Sequence, residues 1–373
     1  MDGEYRAGLI IPLQEEYEAV EQVLVRLGDF KVDGHYYYRF QVPGTDIKIV
    51  AMISFDMGLP STAVAAQRLF GDFGVPLLAV VGIAGILDDN LRYGDVVVAS
   101  EIQSYLNAGK AVPSADGSGF EFVSAPTGWR PSAEIVEFVR NFRNRDADRA
   151  RHRAWRDEAR RRMLDDGADP GGSGPDYVVG PLASGDFVSA AEQFKSFLLA
   201  RNRKYAAVEM EAAGAALAAY RQDGTDLLVV RGMSDHADPR KGEQDRRRGR
   251  DGTPNVWRRH AARNAAELLA ALLGSPEFPW RQRPVVKEQT PPSETRKTSL
   301  LVVPLGLAPP VPGTGPGDDD RAASSGASSG ADSEVDHQAE AARIGHHLPH
   351  VYDDLNLDDG RDGGDDDGDD DGA

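Results

Sequence analysis

The sequence predicts an α/β fold, in which buried strands alternate with helices. Continuous apolar runs of strand length occur at residues 7–12, 76–81 and 227–230, as in strands that a parallel sheet buries on both faces. Small or apolar side chains recur at helical spacing between these runs. With 373 residues, the chain is long enough for one large domain with appendages or for two domains, and its composition favours the first.

The amino-terminal elements are predicted in the order strand, helix, hairpin, helix and strand. They cover residues 7–12, 14–27, 35–42 with 47–54, 60–70 and 76–81. The acids Glu15 and Glu16 mark the start of the first helix, because carboxylates favour the positive end of a helix. The sequence Pro-Gly-Thr-Asp between the two β-rich runs predicts an antiparallel hairpin.

A glycine-rich turn is expected at residues 82–86, where glycines let backbone N–H groups approach a ligand closely. Beyond it, the sequence predicts a strand at 96–99, a strand leading into a helix at 212–220, a strand at 227–231 and a last helix at 256–273.

Acidic side chains follow two of these strands. Glu209 and Glu211 stand where a strand passes into a helix, and Ser234 and Asp235 follow the strand at 227–231. Ligands of open α/β sheets bind at the carboxyl ends of strands, so these acids mark a candidate site. Helix N–H groups could also satisfy Glu211 without any function, and Asp235 could be a helix N-cap.

The net charge of −18 belongs mainly to the carboxyl terminus. From residue 317 onward there are 18 acidic residues against three arginines, which leaves the rest of the chain near −3. Residues 280–373 are predicted to be a disordered acidic low-complexity tail, because they are too polar to offset the entropy of ordering. Two less polar segments, 298–307 and 344–357, could dock a protein partner or collapse on the body.

Composition excludes several classes of protein. The chain has no cysteine, so it has neither disulfides nor thiolate metal sites, and its first apolar segment is too short for a signal sequence or membrane span. The acidic tail would repel nucleic acid and anionic membranes. We expect a soluble cytoplasmic protein that binds no nucleic acid, membrane, metal or cofactor.

A charged segment interrupts the α/β pattern at about residues 138–175. It contains ten arginines from Arg140 to Arg162, and it ends in a Gly/Pro-rich return at 169–175. One interpretation is a solvated charged helix with a flexible return. The other is an arm that binds phosphate or a partner.

Five sequence motifs together indicate a family. They are LIIPLQEE, VVGIAGILDDNLRYGDVVVASE, ASGDFVSA, AAVEMEAAGAALAAY and VVRGMSDHAD. Over residues 6–275, apart from the Arg-rich insertion, the chain resembles the purine nucleoside phosphorylase and nucleosidase superfamily, most closely the 5′-methylthioadenosine/S-adenosylhomocysteine nucleosidases. The resemblance implies a doubly wound three-layer α/β/α sandwich around a mixed sheet, a homodimer, and hydrolysis of a purine ribonucleoside that releases adenine.

The resemblance also implies roles for individual residues. Asp235 matches the general acid that protonates the purine at N7, and Ser234 matches the residue that holds it. Glu211 matches the carboxylate that binds the ribose hydroxyls, Met210 the residue under the sugar, and Glu16 the acid that positions the attacking water.

Other matched positions belong to the pocket wall. Ala84 and Gly85 lie in the glycine-rich motif, which departs from the family where Ile83 and Ile86 replace a hydroxyl residue and a glycine. Phe187 stands one position before the family's base-stacking aromatic, with Val188 in register, and it could stack on the base or belong to the core. We expect Glu209 to be directed away from Glu211.

The chemistry of glycosidic cleavage agrees with these acids. Positive charge develops on the sugar and negative charge on the base, so the site needs anions near the first and an acid near the second. We expect burial or neighbouring carboxylates to raise the pKa of Asp235 so that it holds a proton near neutral pH. Phosphorylases of the superfamily bind phosphate through arginines, which are absent at 12–16 and 79–83, so water is the expected nucleophile.

Two further functions remain open. If the arginines of the insertion reach the pocket, the protein could be an AMP or ATP nucleosidase that acts as a defence or signalling effector. It could also be a catalytically silent nucleoside-binding module. A metal-dependent nucleosidase is disfavoured because residues 9–13 lack a cluster of aspartates, and His236 is expected to line the wall and not to bind a metal.

Overall fold

The structure, a computed structural model, describes residues 4–281 except 55, 108, 116, 124, 240 and 243–245. The strands are β1 (Ala7–Ile11), β2 (Val25–Val32), β3 (His35–Gln41), β4 (Lys48–Ile53), β5 (Leu77–Ile86), β6 (Val96–Ser104), β7 (Lys110–Pro113), β8 (Phe120–Val123), β9 (Thr127–Trp129), β10 (Tyr177–Ser184), β11 (Ala207–Glu209) and β12 (Asp226–Asp235). The helices are α1 (Gln14–Glu21), α2 (Leu59–Phe73), α3 (Ala133–Asn141), α4 (Asp146–Asp165), α5 (Glu192–Arg201), α6 (Ala212–Tyr220) and α7 (Val256–Leu273).

A ten-stranded mixed sheet organises the fold. Its order is β11-β10-β6-β12-β5-β1-β4-β3-β2, with β9 paired to β6, and β11 also pairs with β5. The strands β5, β12, β6, β10 and β11 therefore close into a ring. One hydrophobic core lies between the sheet and α2 with α6, and a second lies between the other face and α1, α3 and α7. The predicted three-layer α/β/α sandwich around a mixed sheet is confirmed.

The first helix is shorter than predicted. α1 ends at Glu21, and the chain enters β2 at Val25, so the helix expected over residues 14–27 is wrong beyond its second turn. Gly28 has φ +126°, which no residue of an α-helix adopts, and the ladder between β2 and β3 has a bulge between Arg26 and Gly28. The hairpin of β3 and β4 is antiparallel, as predicted.

The glycine-rich segment is a strand and not a turn. Residues 82–86 complete β5, which pairs with β1, β12 and β11, and neither Gly82 nor Gly85 has a positive φ. These glycines matter because they lack a side chain: a Cβ on Gly82 would collide with Glu16 and Arg231, and one on Gly85 would lie 3.1 Å from Asp235 Oδ1. The sheet can therefore bring charged side chains against its own backbone here.

The Arg-rich insertion is a packed helix. α3 and α4 replace the single solvated helix expected, and α4 buries a stripe that packs toward α7; its members are Asp148, His152, Trp155, Ala159 and Met163. Trp155 Nε1 donates a hydrogen bond to the Asn264 carbonyl at 3.1 Å. The return at 169–175 is held too, because Arg92 donates to the carbonyls of Gly171 and Gly174. The predicted charged helix is therefore present with most of its residues exposed, but it also carries a buried stripe, and its return is held by hydrogen bonds.

Removing the Trp155 side chain should test this packing. Trp155→Ala deletes a buried indole and its hydrogen bond, and we expect it to lower the free energy of unfolding by about 3–5 kcal/mol. Arg153→Ala, on the exposed side of the same helix, should change it by less than about 0.5 kcal/mol. Urea unfolding followed by circular dichroism measures both, and equal stability of the two variants would show that α4 does not belong to the core.

The ordered body continues to the last described residue. Phe278 is buried and its ring lies 4.6 Å from that of Trp280, while Arg281 pairs with Asp226 at 2.8 Å. From residue 282 onward, the predicted acidic tail and its two candidate docking segments lie outside the described residues. Within residues 4–281, as far as they are described, no helix has the length and apolar content needed to cross a membrane.

Candidate active site

Three glutamates gather around one arginine at the carboxyl edge of the sheet, and Asp235 ends a strand of the same edge with partners of its own. β12 ends with Asp235, and Arg231 lies four residues earlier on the same strand. Glu209 ends β11, Glu211 is the N-cap residue of α6, and Glu16 lies in the first turn of α1. All five side chains are buried. The fold thus gathers the acids singled out from the sequence and adds an arginine.

Arg231 lies at the centre of this cluster. Its side chain is fully buried, and its Nη2 donates to Glu209 Oε2 at 2.5 Å and to Glu211 Oε2 at 3.1 Å. Both carboxylates face one guanidinium, so the expectation that Glu209 is directed away from Glu211 is wrong. Alternation along a strand places residues two apart on the same face, so it does not separate Glu209 from Glu211. The strand β11 also ends at Glu209, so Glu211 is no longer part of it.

Glu209 also holds the start of α6. Its Oε2 accepts hydrogen bonds from the backbone N–H groups of Glu211 at 3.1 Å and Ala212 at 2.9 Å. On the neighbouring strand, Ser184 Oγ accepts from the Ala213 N–H at 2.9 Å. These bonds satisfy the free donors of the helix end and fix the backbone that carries Glu211.

Glu16 bridges two segments of backbone. Its Oε2 accepts from the Leu13 N–H at 2.8 Å, and its Oε1 accepts from the Ile83 N–H of β5 at 2.7 Å. Burial raises the pKa of this carboxyl to about 8, against the opposing charge of Arg231 and with the repulsion of Glu211. Glu16 is therefore a strong base for a carboxylate, positioned against the sheet.

Glu211 lies at the amino-terminal ends of two helices. It is the N-cap residue of α6, and its Oε1 accepts from the Gly58 N–H just before α2 at 3.4 Å. Burial raises the pKa of Glu211 to about 7; Arg231 opposes this shift and Glu209 adds to it. Near neutral pH the carboxyl is poised between its two protonation states, so nearby positive charge would ionise it.

One of the two unpaired donors of Arg231 lies beside Glu16. Arg231 Nε and Nη1 are buried and make no hydrogen bond within the described residues. An ideal Cβ on Gly82 would collide with both Arg231 Nη1 and Glu16 Oε1, so the glycine brings these atoms alongside each other. A buried unpaired donor costs about 1–3 kcal/mol. A small polar ligand such as water has the chemistry to satisfy both groups.

Asp235 differs from its predicted state. Its Oδ1 accepts from the Ala237 N–H at 2.9 Å, and its Oδ2 accepts from Ser234 Oγ at 2.8 Å and from Lys241 Nζ at 2.7 Å. Burial alone would raise the pKa of Asp235, but the Lys241 charge and these hydrogen bonds outweigh it, so the pKa lies below its ordinary value. The expectation of a raised pKa is wrong, because a lysine six residues later returns to the carboxylate.

The wall beside Asp235 contains other residues predicted for the pocket. Gly85 lies against Asp235 and Ala237, and Ser234 Oγ also reaches the Ala84 carbonyl at 3.3 Å. His236 packs edge-on against Tyr93 at 4.9 Å. Within the described residues no group of three or more His, Asp or Glu side chains is arranged to hold a metal ion.

The segment expected to face the base is tied to the same wall. Ser189 Oγ donates to the Ala237 carbonyl at 3.2 Å, directly after Phe187 and Val188. These two side chains are 53% and 49% exposed, so Phe187 is not a core residue. Its ring meets Phe194 edge-on at 6.2 Å, and Met210 is half-buried. Stacking of Phe187 on a base stays a prediction.

The sequence model of the Phosphorylase superfamily matches residues 6–274, most of the chain. The chain belongs to the phosphorylase superfamily. A curated member of the superfamily, the 5′-methylthioadenosine/S-adenosylhomocysteine nucleosidase of Colwellia psychrerythraea, is 24% identical over 278 residues, which cover 72% of this chain and 96% of the relative.

Solved structures of other superfamily members share the fold. The Colwellia psychrerythraea nucleosidase in complex with adenine has a TM-score of 0.51 and 22% identity, covering 74% of this chain and 96% of that one. The futalosine hydrolase of Helicobacter pylori has a TM-score of 0.50 and 18% identity, covering 72% and 97%. At these identities the likeness establishes the fold of the superfamily, and the substrate must be argued from the site.

Sequence reasoning missed two cations in this superfamily site, Arg231 and Lys241, and only Arg231 left a signal. Arg231 is a charge within an otherwise apolar strand, and a buried charge requires partners. That requirement pointed to the neighbouring acids. Lys241 lies in a helical segment six residues after Asp235, and no periodic pattern in the sequence connects the two.

Adding a methyl group at Gly82 should disturb the site more than the fold. The Cβ of Gly82→Ala would displace the ends of the Glu16 and Arg231 side chains and no backbone atom, and misplacing catalytic groups by about 1 Å can cost roughly 10²-fold in rate. Gly71→Ala, on an open face of α2, is the control and should leave turnover unchanged. Steady-state kinetics with circular dichroism check both, and full activity of Gly82→Ala would contradict the proposed contact.

Proposed function

We propose that the protein is a purine nucleosidase that uses water to break the N-glycosidic bond of a ribonucleoside of the 5′-methylthioadenosine/S-adenosylhomocysteine type, releasing adenine. The observation that carries this proposal is the buried cluster of Glu16, Glu209 and Glu211 around Arg231. Membership of the phosphorylase superfamily and the nucleosidases among its relatives support it.

Glu16 and Arg231 supply the attacking side of the reaction. A water molecule that accepts from Arg231 Nη1 can donate to Glu16 Oε1, since the two atoms lie side by side against Gly82. Glu16 then takes the proton as the water oxygen bonds to C1′ of the ribose. Its raised pKa suits a general base that works near neutral pH.

Glu211 supplies the anion beneath the sugar. In its ionised form it accepts hydrogen bonds from the ribose hydroxyls, and positive charge on the ribose favours that ionised form. Because its pKa lies at about 7, the interaction strengthens as the oxocarbenium ion develops. This difference between ground and transition state lowers the barrier. Asp235 and Lys241 face the leaving base.

The charge of the cluster favours water over phosphate as the nucleophile. Arg231 already contacts two carboxylates, and Glu16 lies on its remaining side. A phosphate dianion at this place would meet three acids for one cation, which repels it. Hydrolysis needs only the neutral water molecule.

The contacts of the insertion give little support to an AMP or ATP nucleosidase. Arginines of the insertion pair with acids on the body and on α4: Arg145, just before α4, with Glu277, Arg161 with Glu158 and Asp165, and Arg162 with Glu267. An arginine already paired in this way is a poorer clamp for a nucleotide phosphate. AMP and ATP are therefore compared with the thio-nucleosides in the test of the proposed function.

Base release from the purified full chain tests the proposal. Methylthioadenosine, S-adenosylhomocysteine, adenosine, inosine, AMP and ATP are incubated with and without phosphate, and free base is measured by chromatography. Adenine release from the two thio-nucleosides without phosphate is expected, and Glu211→Gln should lose it, which excludes a contaminating enzyme. Release that requires phosphate would identify a phosphorylase, release from AMP or ATP alone a nucleotide-specific enzyme, and no release at all would overturn the proposal.

A further inference from the structure

A cleft of about 600 Å³ lies at the end of β12 that is opposite the candidate active site. Asp226 begins this strand and lines the cleft, whereas Asp235 ends the strand nine residues later, so about 30 Å of backbone separates the two places. The walls of the cleft are β9, the end of α6 and the connection from α6 to β12. The cleft therefore takes no part in the proposed chemistry.

One wall of the cleft is the outer edge of a short strand. β9 is bonded to β6 from the pair Ser104–Thr127 to the pair Ile102–Trp129, and in the described part of the chain it pairs with no other strand. Residues 127–130 line the cleft. On such an edge every second residue directs its N–H and C=O groups away from the partner strand, where an added extended chain can bind them. This wall is suited to an extended peptide.

The other walls suit apolar and basic side chains. Tyr220 is aromatic and yet 77% exposed, and Trp129 is half-buried. Because α6 ends at Tyr220, the partial negative charge of its last carbonyls adds to the charge of Asp223. Arg130 also lines the cleft, but it is paired with Glu101 at 2.8 Å. An occupant with a branched apolar side chain between two cations would match these walls.

The chain itself arrives at this cleft. Arg281 lines it, and its Nε pairs with Asp226 Oδ2 at 2.8 Å. Just before it, Trp280 is covered by the guanidinium of Arg6 at 5.1 Å from the ring centre. Residues 282–287 read Gln-Arg-Pro-Val-Val-Lys, in which the β-branched valines and the position before proline favour extended backbone. A segment attached at the rim of the cleft is present there at a high effective concentration.

We propose that residues 282–287 lie in this cleft as an extended strand added to the edge of β9. Side chains alternate along a strand, so Val285 shares a face with the basic residues two positions before and after it. That face is directed to α6, where the valine covers Tyr220 and the basic side chains lie near Asp223. The proline of the segment has no N–H to donate, which the start of a strand tolerates. The inference does not depend on the proposed nucleosidase function.

Hydrogen exchange in the full chain tests whether the edge of β9 is covered. The amides of residues 127–129 that face the cleft should be protected in the wild type. Val285→Asp combined with Val286→Asp should make them exchange at least about 10-fold faster, because the charged side chains do not pack on the aromatic wall. Val302→Asp combined with Val303→Asp, the same change in another pair of valines, is the control and should match the wild type. Unchanged exchange in the first variant, or equal acceleration in both, would overturn the proposal.

A disulfide trap identifies the occupant. The chain has no cysteine, so two introduced cysteines can bond only with each other. Tyr220→Cys combined with Val285→Cys should form a bond within one chain under mild oxidation, since a disulfide requires Cα atoms within about 7 Å. Tyr220→Cys combined with Val302→Cys is the control and should stay reduced. Peptide mass mapping locates the bond. A covalent dimer would assign the cleft to a second copy, and that result, like no bond in the first pair or equal bonding in the control, would overturn the proposal.

Discussion

Replacing Arg231 with methionine is expected to lower the free energy of unfolding by about 3–5 kcal/mol and to abolish base release. The arginine is fully buried and is the counterion of Glu209 and Glu211, with Glu16 beside it. Without it, three buried carboxyls remain close together. They must then either repel one another or take up protons.

The pH dependence of this loss identifies its cause. Carboxyls without a cation can become neutral at low pH, so Arg231→Met should be closer to wild type at pH 5 than at pH 8. Arg203→Met, at an exposed arginine, should match the wild type at both values. Chemical denaturation at the two pH values measures the difference. A variant that is as stable as the wild type at pH 8 would show that Arg231 is not the counterion of the cluster.

Glu16→Gln should reduce kcat/KM by about 10²- to 10⁴-fold, because it removes the base and keeps the size of the side chain. The base acts only when ionised. Since burial raises the pKa of Glu16 to about 8, the wild-type rate should increase as the pH rises toward that value. The variant should lose this limb of the pH profile. Glu18→Gln, on the exposed side of the same helix, should keep both rate and profile.

The activity of the wild type should rise with pH, but its stability relative to Glu16→Gln should fall. A carboxyl whose folded pKa is raised contributes stability that is fully present below its unfolded pKa, about 4.5, and is lost as the pH rises through about 8. The permanently neutral amide does not suffer this loss. Above pH 8 the variant should therefore unfold at a higher temperature than the wild type, and a lower melting temperature there would contradict the raised pKa.

The parts of the fold that the sequence predicts well are those that bury continuous apolar faces. The helices at 212–220 and 256–273 have the predicted bounds, because small and apolar side chains recur through them at helical spacing. β2 escaped prediction because most of its residues are exposed or half-buried and it depends on pairing with β3. The buried stripe of α4 contains only a few apolar side chains among many charged ones, so the sequence alone does not show that this helix packs on α7.

In the candidate site, the sequence predicts where the acids lie but not their protonation states. Acids that end strands can be found from the sequence, since strand ends of an α/β sheet share an edge. Their protonation states cannot, because these depend on partners that the fold supplies from elsewhere. Asp235 has the opposite shift from the one expected, as Lys241 reaches it across a turn, while Glu16 and Glu211 have the raised pKa values.

The hydrogen bond from the Ile83 N–H to Glu16 gives the enzyme a built-in spectroscopic probe. An amide proton that is donated to a carboxylate changes its chemical shift when the carboxylate takes up a proton. The Ile83 resonance should therefore report the ionisation of Glu16 directly, in a backbone spectrum and without substrate. A titration of that one signal can therefore follow the ionisation of the proposed general base.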